Sequence, residues 1–246
     1  MSVYLHYIDP QTQQPTDVKV KPYYLQNPDS IVVELLSCDP DWYSKYIRTD
    51  YTTQDSTSAY INTGLQFKDV GWSDITFQYN IANFTCVCGG ATGGGNNYVC
   101  WYSNQLHEGR GGNVIDSGND RIIGHQYRLI SNKTRQGIAY RDGEFLKNFT
   151  SQMWGSQSTV DVGLFAFGGG GYSGGNQNIY YAEFRTSEDG EILGKYIPCI
   201  RTSDSHAGMY DMVTKQFVDS TNSSLFTAGP IKPFEPKSMY FRDIKY

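Results

Sequence analysis

The sequence predicts an all-β chain folded as a two-sheet antiparallel sandwich. Three observations carry this. Tyr (20 residues) and Phe (12) are abundant, and flat, stiff side chains pack well on a pleated sheet. Gly (26) is equally prominent and supplies the tight turns and bulges that separate short strands. Turn signals recur about every ten residues, and no apolar repeat of helical period is sustained. A sheet of so many strands must curl or split into two packed layers.

The elements follow in order. Val3-Tyr4-Leu5-His6-Tyr7-Ile8 reads as a strand, Asp9-Pro10-Gln11-Thr12 as a turn, and Val18-Lys19-Val20-Lys21 as the return strand. Ser30 to Leu36 reads as a third strand or a short helix, before Cys38-Asp39-Pro40-Asp41-Trp42 breaks the pattern. From Tyr51 the texture changes. Ser58 to Gly64 precedes Ile75-Thr76-Phe77-Gln78-Tyr79-Asn80, whose large apolar residues alternate with polar ones as in a half-buried strand. Gly89 to Asn97 reads as a Gly/Asn-rich loop, and Tyr98 to Tyr102 resumes a strand.

Arg121 to Ile123 and Gln126 to Ile130 come next. Gly137 to Phe145 contains the pattern strand, Asp142-Gly143 turn, strand. Val160 to Phe167 reads as strand-like on both faces. Gly168 to Gly175 reads as a second glycine loop, and Ile179 to Arg185 pairs with Glu191 to Pro198 across Glu188-Asp189-Gly190. The chain divides into an N-terminal β segment (1–50), a sandwich (51–230) and a C-terminal tail (231–246).

Net charge is −5, and no Lys/Arg cluster interleaves with aromatics, so nucleic acid is not an expected partner. No apolar run approaches the roughly 18 residues of a membrane span. The opening MSVYLHYIDPQ lacks the basic and apolar regions of a signal peptide. The five cysteines (Cys38, Cys86, Cys88, Cys100, Cys199) are an odd number, and Cys86-Val87-Cys88 has the wrong spacing for a zinc knuckle. On a strand Cys86 and Cys88 would share one face. They are expected to be free thiols acting as small core hydrophobes.

Three segments resemble the concanavalin A-like lectin/glucanase superfamily, in particular its laminin-G-like jelly rolls associated with phages and prophages. The first is Ala59-Tyr60-Ile61-Asn62-Thr63-Gly64 followed by Ile75-Thr76-Phe77-Gln78. The second is Tyr140-Arg141-Asp142-Gly143, then Gly163-Leu164-Phe165-Ala166, then Ile179 to Phe184. The third, and most specific, is Tyr196-Ile197-Pro198-Cys199-Ile200-Arg201, then Gly208-Met209-Tyr210-Asp211-Met212-Val213-Thr214, Phe217, and Phe226-Thr227-Ala228-Gly229-Pro230. The resemblance covers about residues 51–230. Within the closing segment, Met209 is expected in the core and Asp211 on turn amides, with Phe217 and Phe226 buried on one sheet.

The resemblance implies a jelly-roll sandwich with a lectin-like role, in a virion structural protein: a head fibre, a decoration or a tail-associated component. It implies a virion location after synthesis in the host cytoplasm. The partners would be other virion proteins, further copies of the chain and host surface polysaccharide, but neither nucleic acid nor a membrane. Residues 1–50 would be the attachment part. A bacterial carbohydrate-binding surface module is the alternative, and a glucanase relative the third reading.

No enzyme is expected, because the glucanase pattern of carboxylates spaced along one strand face is missing and Glu183 stands alone on its strand. Gly-x-Ser-x-Gly is absent, and His6, His107, His125 and His206 are scattered; His206 beside Asp204 and His125 near Asp120 read as surface side chains. No catalytic residue, cofactor or metal is expected, and calcium, which lectin loops sometimes hold, has no specific motif here. Asn96, Asn97, Tyr98, Trp101, Tyr172 and Asn176 are the candidate carbohydrate-binding residues, since aromatic faces stack on sugars and amides bond hydroxyls. Tyr102, Asp116, Asn119, Asp120 and Trp154 offer the same chemistry nearby. The glycine stretches 89–97 and 168–176 are expected to present these groups from one end of the sandwich.

Overall fold

Alternation and turn chemistry translate directly into strands. The computed structural model describes residues 3–8, 15–20, 45–54, 59–81, 85–92, 95–102, 105–109, 113–117, 122–151, 154, 158–168, 175–222 and 224–232. Its elements begin with β1 (Val3–Ile8), β2 (Pro15–Val20), β3 (Tyr46–Arg48), β4 (Thr52–Gln54), β5 (Ile61–Gln66), β6 (Trp72–Tyr79) and β7 (Thr85–Thr92). They continue with β8 (Gly95–Tyr102), β9 (Gln105–Glu108), β10 (Asn113–Ser117), β11 (Gln126–Asn132), β12 (Gln136–Arg141), β13 (Glu144–Thr150) and β14 (Asp161–Leu164). The last are β15 (Phe167–Gly168), β16 (Gln177–Arg185), β17 (Ile192–Arg201), β18 (Ala207–Asp211), β19 (Gln216–Val218) and β20 (Thr227–Ala228).

The chain divides into two compact units, Arg48–Ile231 and a second made of Met1–Ile47 with Lys232–Tyr246. In the second unit β1 and β2 form an antiparallel hairpin, Val3 opposite Val20 and Ile8 opposite Pro15. The expected turn at 9–12 and the strand or helix at 30–36 lie outside the described residues.

The first unit is the expected sandwich. Its larger sheet runs β13-β12-β11-β6-β16-β17-β18-β19, with β4 pairing β16 and β20 pairing β4. Its smaller sheet runs β10-β9-β8-β7-β14-β5. The consecutive strands of both sheets pair antiparallel, while β15 lies parallel to β7. One hydrophobic core joins the sheets. Ile75, Phe77, Tyr79, Tyr127, Phe184 and Tyr196 come from the larger sheet, and Ile61, Val87, Val99, Leu106 and Leu164 from the smaller.

Polar groups also bridge the layers. Gln54 on β4 donates from Nε2 to the Phe165 carbonyl (3.2 Å), and Gln177 on β16 donates from Nε2 to the Cys86 carbonyl on β7 (2.7 Å) and to Gln54 Oε1 (3.1 Å). Phe165 itself is buried at φ 63°, a conformation a bulky residue adopts only when its surroundings impose it. Its amide donates to the Val87 carbonyl (2.7 Å) and its ring packs 4.7 Å from that of Phe226.

The closing segment behaves as its chemistry requires. Met209 is fully buried. Asp211 Oδ1 accepts from the amides of Lys195 (3.1 Å) and Val213 (3.0 Å), and its Oδ2 from the Thr214 hydroxyl (2.8 Å). Phe226 joins the core, whereas Phe217 is only half-buried and lies under the Arg201 guanidinium.

The glycine stretch at 89–97 departs from expectation. It is mostly strand: β7 runs through Gly89 and Gly90 to Thr92, and β8 starts at Gly95. The reason is close packing rather than a turn. A Cβ on Gly90 would lie 2.2 Å from the Phe67 ring, so glycine is what lets Phe67 pack beneath β7. A bulge at Cys86–Cys88 also changes how that pair is disposed. Both side chains are buried, but Cys88 belongs to the core cluster and Cys86 does not.

Candidate functional site

The outer face of the larger sheet carries several of the described polar and aromatic side chains of the first unit. Since Ile75, Phe77, Leu129, Ala139 and Ala182 point into the core, their strand neighbours point outward. Register then aligns these neighbours in rows across the strands.

The first row is ring, ring, cation, hydroxyl, phenol: Phe145, Tyr140, Arg128, Thr76 and Tyr181, successive cross-strand partners on β13, β12, β11, β6 and β16. Five strands at about 4.8 Å spacing make a row of roughly 19 Å. Phe145 is 59% exposed, and its ring meets that of Tyr140 edge-on at 6.2 Å. The Arg128 guanidinium lies 5.8 Å from the centre of the Tyr140 ring.

The second row is ionic: Asp74 on β6, Glu183 on β16 and Lys195 on β17. Arg128 clamps Asp74, with Nε 2.9 Å from Oδ1 and Nη2 2.6 Å from Oδ2. Glu183 accepts from the Tyr181 hydroxyl and from Arg185 Nε (2.5 Å), with Lys195 Nζ at 3.7 Å. Arg185 covers the Trp72 ring at 5.0 Å. Burial alone would push the Glu183 carboxyl up, but the Tyr181 and Arg185 hydrogen bonds and the nearby cations hold it below the usual carboxylate range. The same contact, with burial as the larger cause, pushes the Tyr181 phenol up.

The third row carries amides and hydroxyls: Gln126, Gln78, Asn178 and Thr53 on β11, β6, β16 and β4. Asn178 Oδ1 accepts from Thr53 Oγ1 (2.8 Å) and Asn80 Nδ2 (2.9 Å). A bulge in β16 sets Tyr180 beside this row. Its hydroxyl donates to Gln78 Oε1 (2.5 Å), and its ring meets that of Tyr51 edge-on at 5.2 Å.

Asp74 and Glu183 are direct cross-strand partners, a carboxylate pair that inspection of single strands does not reveal. A retaining glycosidase uses two close carboxyl groups, one of them a general acid with a raised pKa. Here Glu183 is shifted the other way, and both oxygens of Asp74 are engaged by Arg128. Each member of the pair is held by cations of the outer face, Asp74 by Arg128 and Glu183 by Arg185 and Lys195.

The sequence-derived candidates fall mainly on the other sheet. Asn96, Asn97 and Tyr98 lie on β8 opposite Ala91, Gly90 and Gly89, and Trp101 lies opposite Thr85; their side chains are outside the described residues. Thr85 Oγ1 donates to the Gly175 carbonyl (3.3 Å), which brings the backbone at Trp101 towards Asn176, while Asn96 and Asn97 sit at the far end of the β7–β8 hairpin. Asn176, at φ 61°, leads into β16 and places Oδ1 3.4 Å from Asn80 Nδ2, at the end of the amide row. Tyr172, Asn119 and Asp120 lie outside the described residues. Asp116 is engaged by the Tyr127 hydroxyl (2.7 Å) and Arg141 (3.0 Å), and Trp154 is core, its Nε1 donating to Ser73 (2.8 Å) and Ser131 (3.0 Å).

Two of the histidines, His125 and His206, find carboxylates that chain proximity only half foretells. His125 Nδ1 lies 2.5 Å from Asp142. His206 Nδ1 lies 2.9 Å from Asp219, in a cluster with Arg201 and Asp204. Among the described residues no three His, Cys, Asp or Glu side chains are grouped to hold a metal ion.

No family model matches this chain, and no curated protein matches it.

Proposed function

We propose that this chain is a glycan-binding component of a bacteriophage particle, such as a head fibre, a decoration or a tail-associated protein. The observation that carries the glycan part is the outer face of the larger sheet. It combines the exposed Phe145 ring and half-buried tyrosines with amides, hydroxyls and a guanidinium in rows across the strands, the side chains that stack on sugar rings and bond their hydroxyls. These groups stand on strands rather than loops, and such support keeps a binding surface pre-organised. The particle assignment is supported by the phage-type closing segment at 196–230, with residues 1–50 as the attachment part.

Binding without hydrolysis is supported by Glu183, whose surroundings oppose protonation. Copies of the chain arrayed on a particle would multiply weak contacts with a host surface polysaccharide. The test is a glycan panel drawn from bacterial surface polysaccharides, together with co-sedimentation of the chain with particles. Binding at millimolar to micromolar affinity is expected, about −4 to −8 kcal/mol, weakened by Phe145→Ala. Absence of binding across the panel overturns the glycan part, and absence from purified particles overturns the virion part.

A further inference from the structure

We infer that the glycan is acidic and that Arg128 reads its carboxylate; the inference rests on the glycan-binding reading above. A guanidinium offers five N–H donors arranged as two forks. Asp74 takes the side-on fork, through Nε and Nη2. The end-on fork, Nη1 with the second proton of Nη2, faces away from Asp74, and among the described residues no acceptor is bonded to Nη1. Asp74, nearly buried, thus holds the guanidinium plane fixed while half of the Arg128 side chain stays exposed. That is a pre-organised receptor for a second planar carboxylate, because its orientation is already set before a ligand arrives.

Two further features agree. The ionic patch sets three cations, Arg128, Arg185 and Lys195, against two carboxylates, Asp74 and Glu183, in a chain whose net charge is −5. Arg128 is matched by Asp74, and the surplus cation stands at Glu183, in the row beside the one that carries the rings. Next to Arg128 on its own row stand Tyr140 and the 59% exposed Phe145. A uronic acid satisfies both features within one residue: its C–H face stacks on a ring, and its carboxylate enters the end-on fork.

The experiment uses the full chain and three polymers: polygalacturonate, the same polymer with its carboxyl groups reduced to alcohols, and a neutral glucan, each titrated calorimetrically at low and high salt. Polygalacturonate is expected to bind about tenfold or more tightly than its reduced form, the effect of one charge-assisted contact, and to weaken as salt rises. Arg128→Lys keeps a cation beside Asp74 but loses the second fork. It is expected to lower polygalacturonate affinity about tenfold and glucan affinity much less, so that the preference for the acidic polymer shrinks, with circular dichroism confirming the fold. If that variant misfolds, the comparison of native and reduced polymer on the unaltered chain decides alone. Equal binding of native and reduced polymer overturns the acidic inference and leaves the glycan reading standing. Failure to bind these polymers and the wider panel removes the glycan reading itself.

Discussion

Glu183 shows how one side chain couples the outer face to stability. Its carboxylate is almost wholly buried, between the Tyr181 hydroxyl, Arg185 and Lys195. Its folded-state pKa lies below the ordinary value of 4.5, so the folded state favours the ionised form. The resulting stabilisation is fully present above pH 4.5 and is lost as pH falls through the lowered folded value. Glu183→Gln should cost about 2–3 kcal/mol at pH 7, because it leaves two cations beside a neutral amide. The gap to the unaltered protein should shrink as pH falls from about 5 to 3. Urea unfolding at both ends of that range checks this, and a gap of constant size would remove the charge from the explanation. Tyr181 and Arg185 stand at strand spacing from Glu183 and are legible along the chain, but no acidic neighbour is. Its partner Asp74 is supplied by the register of β6 against β16, and register is a long-range property.

Elements were legible where a local rule sufficed. The alternation at Ile75–Asn80 became β6, and Asp142-Gly143 became the hairpin turn, with both residues at positive φ (54° and 85°). The Gly/Asn stretch misled because glycine has two uses, turning a chain and admitting a neighbour, and composition does not separate them. Gly90 serves the second. The ring it admits, Phe67, is itself held by stacking on Trp154 at 5.1 Å and has little freedom to retreat. Gly90→Val should therefore overpack the core and cost about 1–3 kcal/mol. Gly143→Asn, at the hairpin turn, should be nearly neutral, since Asn tolerates positive φ and no atom lies within 4 Å of a Cβ there. Thermal denaturation of the two variants separates the roles, and a Gly90→Val variant as stable as the parent would restore the loop interpretation. The outer-face row is less legible still, because Arg128, Tyr140 and Tyr181 sit mid-strand, where each reads locally as an ordinary outward residue.

At the scale of the whole molecule, the sandwich closes on itself at both ends of its own sequence. Thr49 bridges Ile231, the Asp50 amide donates to the Pro230 carbonyl (2.9 Å), and the Gly229 amide donates to the Tyr51 carbonyl (2.8 Å). The Thr49 amide also donates to the Pro198 carbonyl on β17 (3.1 Å). The chain thus enters and leaves this unit side by side, as independently folding domains commonly do. Its core draws on both sheets, and the polar bridge from Gln54 and Gln177 to the Phe165 and Cys86 carbonyls also lies wholly within it. A fragment spanning residues 48–231 should therefore fold alone, with a strand-dominated circular dichroism spectrum and a single cooperative transition. Removing only 229–231 as well should fray the entry at 49–51 and lower the midpoint, because the amide and carbonyl groups of that zipper lose their partners. If the 48–231 fragment aggregates or melts without cooperativity, the stability of the sandwich depends on the residues outside it. If it folds and still binds glycan but no longer joins particles, attachment belongs to the 1–47 and 232–246 unit.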